Sequence, residues 1–153
     1  MNRRAFAALP ALVVLAAVSA QAQKRPTAPA AAPAQRAGTV IRVRMLQQGS
    51  RYLYEPANFT VRQGDIVEFV NVNGFPHNVQ FDPAKIPAGA ADVLNRNMPN
   101  RLGPLQSPMF TQANQTYRIS FAGAPVGTYD YFCLPHRAMN MKGVITVTAA
   151  ARR

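Results

Sequence analysis

The sequence predicts an all-β sandwich of seven to eight short strands with little helix, and three observations lead there. Between residues 39 and 148, apolar and polar residues alternate in short runs, the period of two expected of half-buried strands. Turn-forming clusters such as Gln63-Gly64-Asp65, Asn73-Gly74 and Gly123-Ala124-Pro125 separate the runs. Only residues 88–95 offer a helical stretch, and it is short. Strands without intervening helices must bury their apolar faces against each other, which makes a sandwich.

The 153 residues allow one domain plus extensions. Residues 1–22 join Arg3-Arg4, an apolar run and the small residues Ala20-Gln21-Ala22, the three parts of a secretory signal peptide cleaved after Ala22. The apolar run is short for a membrane span, so no transmembrane segment is expected in the mature chain. Residues 23–38 are rich in proline and alanine and read as a linker. The domain follows at 39–150. Residues 39–45 alternate as a strand, 47–56 read as a polar turn region, and 66–72 read as a core strand. Residues 79–81 continue as a strand beyond Pro76-His77, and 115–121 alternate again. Residues 83–108 carry five prolines and read as a long irregular connection, either functional or a tolerated insertion. The last two strands, near 128–133 and 143–148, enclose a chemically distinctive loop.

That loop holds Cys133, His136, Met139 and Met141: the only cysteine, one of two histidines and two of six methionines. A lone cysteine is most often an inert small hydrophobe. A thiolate, an imidazole and thioethers within nine residues form instead a soft ligand set that suits copper better than magnesium or calcium. A fourth ligand must come from elsewhere, and His77 is the one remaining imidazole. In an oxidising compartment a single cysteine makes no internal disulfide, and metal ligation gives the thiol an occupation.

Two blocks of residues resemble the plastocyanin/pseudoazurin group of cupredoxins, the small blue copper proteins. One is Asn73-Gly-Phe-Pro-His77-Asn78-Val-Gln-Phe-Asp82; the other is Cys133-x2-His136-x4-Met141 followed by Lys142-Gly143 and a Val/Ile/Thr strand. The resemblance implies a Greek-key cupredoxin sandwich and one type 1 copper ion. It further implies that His77, Cys133 and His136 form the ligand plane, with a long axial thioether. Met141 fits the longer ligand loop and Met139 the shorter loop of the amicyanin kind; Met141 is the expected axial ligand. Asn78 is expected to tie the two ligand loops together. The implied function is one-electron transfer by Cu(II)/Cu(I) cycling between redox partners. His136 is then the ligand nearest the surface, among the apolar neighbours Phe75, Pro76, Pro135, Ala138 and Met139.

The chain departs from the plant-type pattern in three places. Asp82-Pro83-Ala84-Lys85 lacks the acidic patch, Phe132 stands where a tyrosine precedes the cysteine, and Leu134 replaces a small hydroxyl residue, removing one hydrogen bond between the loops. Net charge is +11, and +9 without Arg3 and Arg4, which favours redox partners with acidic docking surfaces. No nucleic-acid motif accompanies the charge, and an exported monomer is expected, periplasmic or otherwise extracytoplasmic. A copper-delivery protein using Met45, Met98 and Met109 as further thioethers is the alternative. An enzyme is not expected: a cysteine nucleophile needs a base, an orienting group and an oxyanion site, and further copper ligands are lacking.

Overall fold

The computed structural model describes residues 38–150. The expected signal segment, the linker up to residue 37 and the last three residues lie outside the described residues. Eight strands are present there: β1 (Val40–Gln48), β2 (Arg51–Glu55), β3 (Asn58–Arg62), β4 (Ile66–Asn71), β5 (Gln80–Phe81), β6 (Gln115–Ser120), β7 (Gly127–Phe132) and β8 (Lys142–Thr148). One α-helix, α1 (Ala90–Asn97), interrupts them.

The strands form two mixed four-stranded sheets, ordered β2-β1-β4-β6 and β3-β8-β7-β5. Pairs β1/β4 and β3/β8 are parallel and the other pairs antiparallel. Only β1–β2 and β7–β8 are sequence neighbours within a sheet; every other connection crosses from one sheet to the other, as in Greek-key sandwiches. Val43, Met45, Val67, Phe69 and Ile119 point inward from the first sheet, and Val61, Tyr129, Tyr131, Ile145 and Val147 from the second. These are the alternating positions of the sequence, so period two became burial.

The stretch 47–56 is not a turn region. β1 runs on to Gln48, the chain reverses at Gly49-Ser50 with Gly49 at φ +60°, and β2 returns in register, Leu46 facing Leu53 and Met45 facing Tyr54. Its end residues are polar because they are exposed, while Tyr54 at its centre is buried. The strand expected at 79–81 shrinks to Gln80–Phe81, because Val79 pairs instead with Ser107, donating its N–H to Ser107 Oγ at 2.8 Å and accepting from Ser107 N at 2.9 Å. The helix begins two residues later than expected, after Gly89 (φ +76°), and buries Ala90 and Leu94 in the core. Among the described residues no helix is long and apolar enough to cross a membrane.

Segment 83–108 has a structural task. Residues 103–110 run back along the His77 strand, with bridges His77–Phe110 and Gln80–Gln106. Tyr117 of β6 donates its hydroxyl to Pro99 O at 2.8 Å, and Asn95 Oδ1 accepts from Leu105 N at 2.7 Å, so the long connection is fastened along its length.

Candidate metal centre

At one end of the sandwich the two ligand blocks meet. His77 lies between β4 and β5, clamped by Phe110: His77 N–H donates to Phe110 O at 3.0 Å, and Phe110 N–H donates to His77 O at 2.8 Å. The preceding loop is knotted by buried Asn71, whose Nδ2 donates to Phe75 O and Phe110 O and whose Oδ1 accepts from Gly74 N. Cys133 follows β7 directly. A 3₁₀ turn at Arg137–Met139 then closes the loop, and Asn140 in the left-handed region (φ 65°) returns the chain into β8. Asparagine tolerates that conformation. Gly143 lets β8 approach: a Cβ there would lie 2.0 Å from Ala57 O and 2.7 Å from the Tyr131 ring.

The result is one buried donor cluster. Cys133 Sγ lies 3.8 Å from His77 Nδ1 and 3.4 Å from His136 Nδ1, and the donors of all three residues fall within 4.8 Å of one another. It is the one such group of three or more His, Cys, Asp or Glu side chains among the described residues. Bonds of about 2.0 Å to nitrogen and 2.3 Å to sulfur allow a shared ion to hold sulfur and nitrogen no more than about 4.3 Å apart. Both separations pass that test.

The fourth expected residue, Met141, is fully buried. Its main chain is bonded to two of the others, with Cys133 N–H donating to Met141 O at 3.0 Å and Met141 N–H to His136 O at 3.1 Å. Met139 is 49% exposed on the surface turn. His136 is the least buried of the four, at 7% exposure against 0% for His77, Cys133 and Met141.

The electrostatics suit a cation held by neutral imidazoles. Burial, and secondarily His136, lowers the His77 pKa to about 4, so its ring keeps a free lone pair at neutral pH. Burial lowers His136 as well. Burial raises the Cys133 thiol, while hydrogen bonds from the backbone N–H groups of Asn78 and His136 pull it back toward the thiolate. A cation beside the sulfur supplies the remaining pull.

Around the donors stand residues the sequence flagged and contacts from β2 that it did not. Asn78 links the loops as expected, its Oδ1 accepting from Leu134 N at 2.7 Å. Its Nδ2 is buried without a protein partner among the described residues. Arg137 lies over the Phe132 ring, 4.1 Å from its centroid, and pairs with Asp82 at 3.8 Å. The unanticipated pair is Tyr52 and Tyr54 of β2. Tyr52 stacks on the His136 ring, centroids 3.7 Å apart and planes 6° from parallel. Tyr54 donates its hydroxyl to Asn78 O at 2.6 Å. Their i, i+2 spacing was the available signal, hidden by reading the stretch as a turn.

A Greek-key sandwich with a buried His2Cys cluster at one end defines the class: a single-metal cupredoxin. The copper-binding proteins of the plastocyanin/azurin family match residues 41–148. The chain belongs to this family. It is 36% identical over 108 residues to a plastocyanin of Scenedesmus fuscus, spanning 70% of this chain and 98% of that protein. It is 40% identical over 95 residues to a plastocyanin of Nostoc punctiforme, spanning 61% of this chain and 63% of the relative. A mutant fern plastocyanin solved in oxidised and reduced forms superposes with a TM-score of 0.57 at 28% identity, covering 71% of this chain and all of that one. Copper is the metal these observations support.

Proposed function

We propose that this protein is an exported one-electron carrier whose copper His77, Cys133, His136 and the Met141 thioether would hold. The observation that carries the reading is the buried convergence of two imidazole nitrogens on one cysteine sulfur, in a chain of a copper-binding family. When bound, copper supplies a single electron reversibly by alternating between Cu(II) and Cu(I). The chain's own residues hold the donors in place before the metal arrives: Phe110 clamps the His77 backbone, Tyr52 stacks on His136, and Asn78 joins the loops. Ligands pre-set in this way limit rearrangement when the charge of the site changes.

Met141 is preferred to Met139 because it is buried and bonded through its backbone to Cys133 and His136, whereas Met139 lies on the surface. His136 is the proposed point of electron exit. Around it Phe75, Pro76, Leu134, Pro135, Ala138 and Met139 are exposed, a collar suited to brief contact with a redox partner. The basic balance of the chain favours a partner with acidic groups. Export rests on the signal-like residues 1–22, with 23–38 as the spacer and 39–150 as the copper domain.

Copper delivery is the weaker reading: Met45 and Met98 are buried in the core, where they pack and leave no chain of accessible thioethers. One equivalent of Cu(II) added to the mature protein should give an intense thiolate-to-copper band and a narrow copper hyperfine splitting. Cys133→Ser should abolish the band. A colourless product with Cys133 still titratable as a thiol would remove the carrier reading and favour delivery.

A further inference from the structure

We propose that Tyr54 is a positioning residue for the sulfur of the metal centre, its hydroxyl fixing the Asn78 peptide that joins the two ligand loops. Tyr54 sits on β2, in the sheet opposite the one that carries Cys133, and is 2% exposed. Its hydroxyl donates to Asn78 O at 2.6 Å, a buried bond across 24 residues of chain. Asn78 in turn accepts through Oδ1 from the N–H of Leu134, the residue next to Cys133, at 2.7 Å. One residue therefore carries both the acceptor for the N–H that follows Cys133 and the carbonyl that Tyr54 holds.

Asn78 needs such an anchor more than an ordinary linking residue does. Its Nδ2 is buried without a protein partner among the described residues, so one arm of its side chain gives no restraint. The Tyr54 ring is itself fixed, packed at 4.7 Å on Tyr131 and at 6.0 Å on Phe69. A rigid aromatic whose polar tip reaches a buried carbonyl restrains that carbonyl more tightly than solvent would. Tyr54 thus restrains from β2 a residue whose side-chain Nδ2 has no protein partner of its own among the described residues.

The role assumes the copper site proposed above, and the test separates the two. Tyr54→Phe removes only the hydroxyl. Tyr129→Phe is the matched control, because Tyr129 also donates at 2.6 Å to a backbone carbonyl, that of Pro125, away from the ligands. In the metal-free protein, amide exchange of Leu134 should quicken roughly five- to tenfold in Tyr54→Phe and stay near the wild-type rate in Tyr129→Phe. In the copper-loaded protein, the thiolate-to-copper band should shift in the first variant alone. Equal behaviour of the two variants, or unchanged Leu134 exchange in Tyr54→Phe, overturns the positioning role. If wild type shows no such band, the copper reading fails while the amide exchange still decides what Tyr54 does. Should Tyr54→Phe not fold, the wild-type protein decides: a slowly exchanging Tyr54 hydroxyl proton in contact with Asn78 supports the role, and a rapidly exchanging one refutes it.

Discussion

Tyr52 shows how a single side chain acts on a ligand it never bonds. Its ring lies flat on His136 at 3.7 Å and meets His77 and Phe75 edge-on at 6.1 and 6.2 Å. Aromatic contacts of this kind contribute about 0.5–1.5 kcal/mol beyond the area they bury. The ring does the holding, since the Tyr52 hydroxyl makes no hydrogen bond among the described residues. Tyr52→Phe should therefore melt within about 0.5 kcal/mol of wild type. Tyr52→Ala should cost about 1–2 kcal/mol and free the His136 ring. Urea melts of the copper-free proteins, with the His136 ring resonances, check both. A Phe variant as damaged as the Ala variant would show that the hydroxyl, and not the stack, mattered.

At the scale of elements, strands β1, β4 and β6 share a charge ladder on the outer face of their sheet. The register places Arg42 opposite Glu68 and Glu68 opposite Arg118. Arg42 Nε and Arg118 Nε each donate to the Glu68 carboxylate at 2.8 Å, and the glutamate is 3% exposed. Hydrogen bonds from Arg118 and then Arg42 hold its pKa below the ordinary 4.5. A carboxylate lowered on folding stabilises the fold above its unfolded pKa and loses that contribution as pH falls through the folded value. Both arginines are largely exposed, which screens the pair. Glu68→Gln should thus cost about 1 kcal/mol at pH 7. The gap between variant and wild type should close as the pH is lowered below about 4.5, read by urea melts at each pH. A constant gap across that range would mean that packing, not charge, sets the cost.

The element scale also explains what the sequence revealed. The 133–141 loop of the candidate centre was legible because its soft donor side chains are grouped by local spacing, and because turn residues and alternating strands bracket them. His77 was legible through its own block, though 56 residues separate it from Cys133. β2 was not, because its polar ends resemble a turn and its two working tyrosines are justified only by the other sheet. The bond between Tyr54 and Asn78 joins elements that no local pattern relates. The 83–108 segment was opaque for the same reason: its ties to Val79 and Phe81, through Ser107 and Leu105, are long-range backbone bonds.

For the whole molecule, the proposed metal centre would staple together parts distant in sequence. His77 is fastened to the 103–110 segment, Cys133 and His136 belong to the β7–β8 loop, and the β1–β2 hairpin leans on them through Tyr52 and Tyr54. Without metal the site holds two neutral imidazoles and a thiol whose ionisation burial resists, so the donors gain little from meeting. A ligand that binds only the folded chain stabilises it by RT ln(1 + [L]/Kd), about 2.7 kcal/mol at a hundredfold excess over Kd. A domain slightly above 100 residues moves by roughly 4 °C per kcal/mol. Copper should therefore raise the melting temperature by roughly 10 °C at that excess. Calorimetry with and without Cu(II) reads the shift, and Cys133→Ser should lose most of it, because the imidazoles alone bind the ion less tightly. An equal shift in wild type and Cys133→Ser would place copper elsewhere, for the sulfur is the donor around which both loops converge.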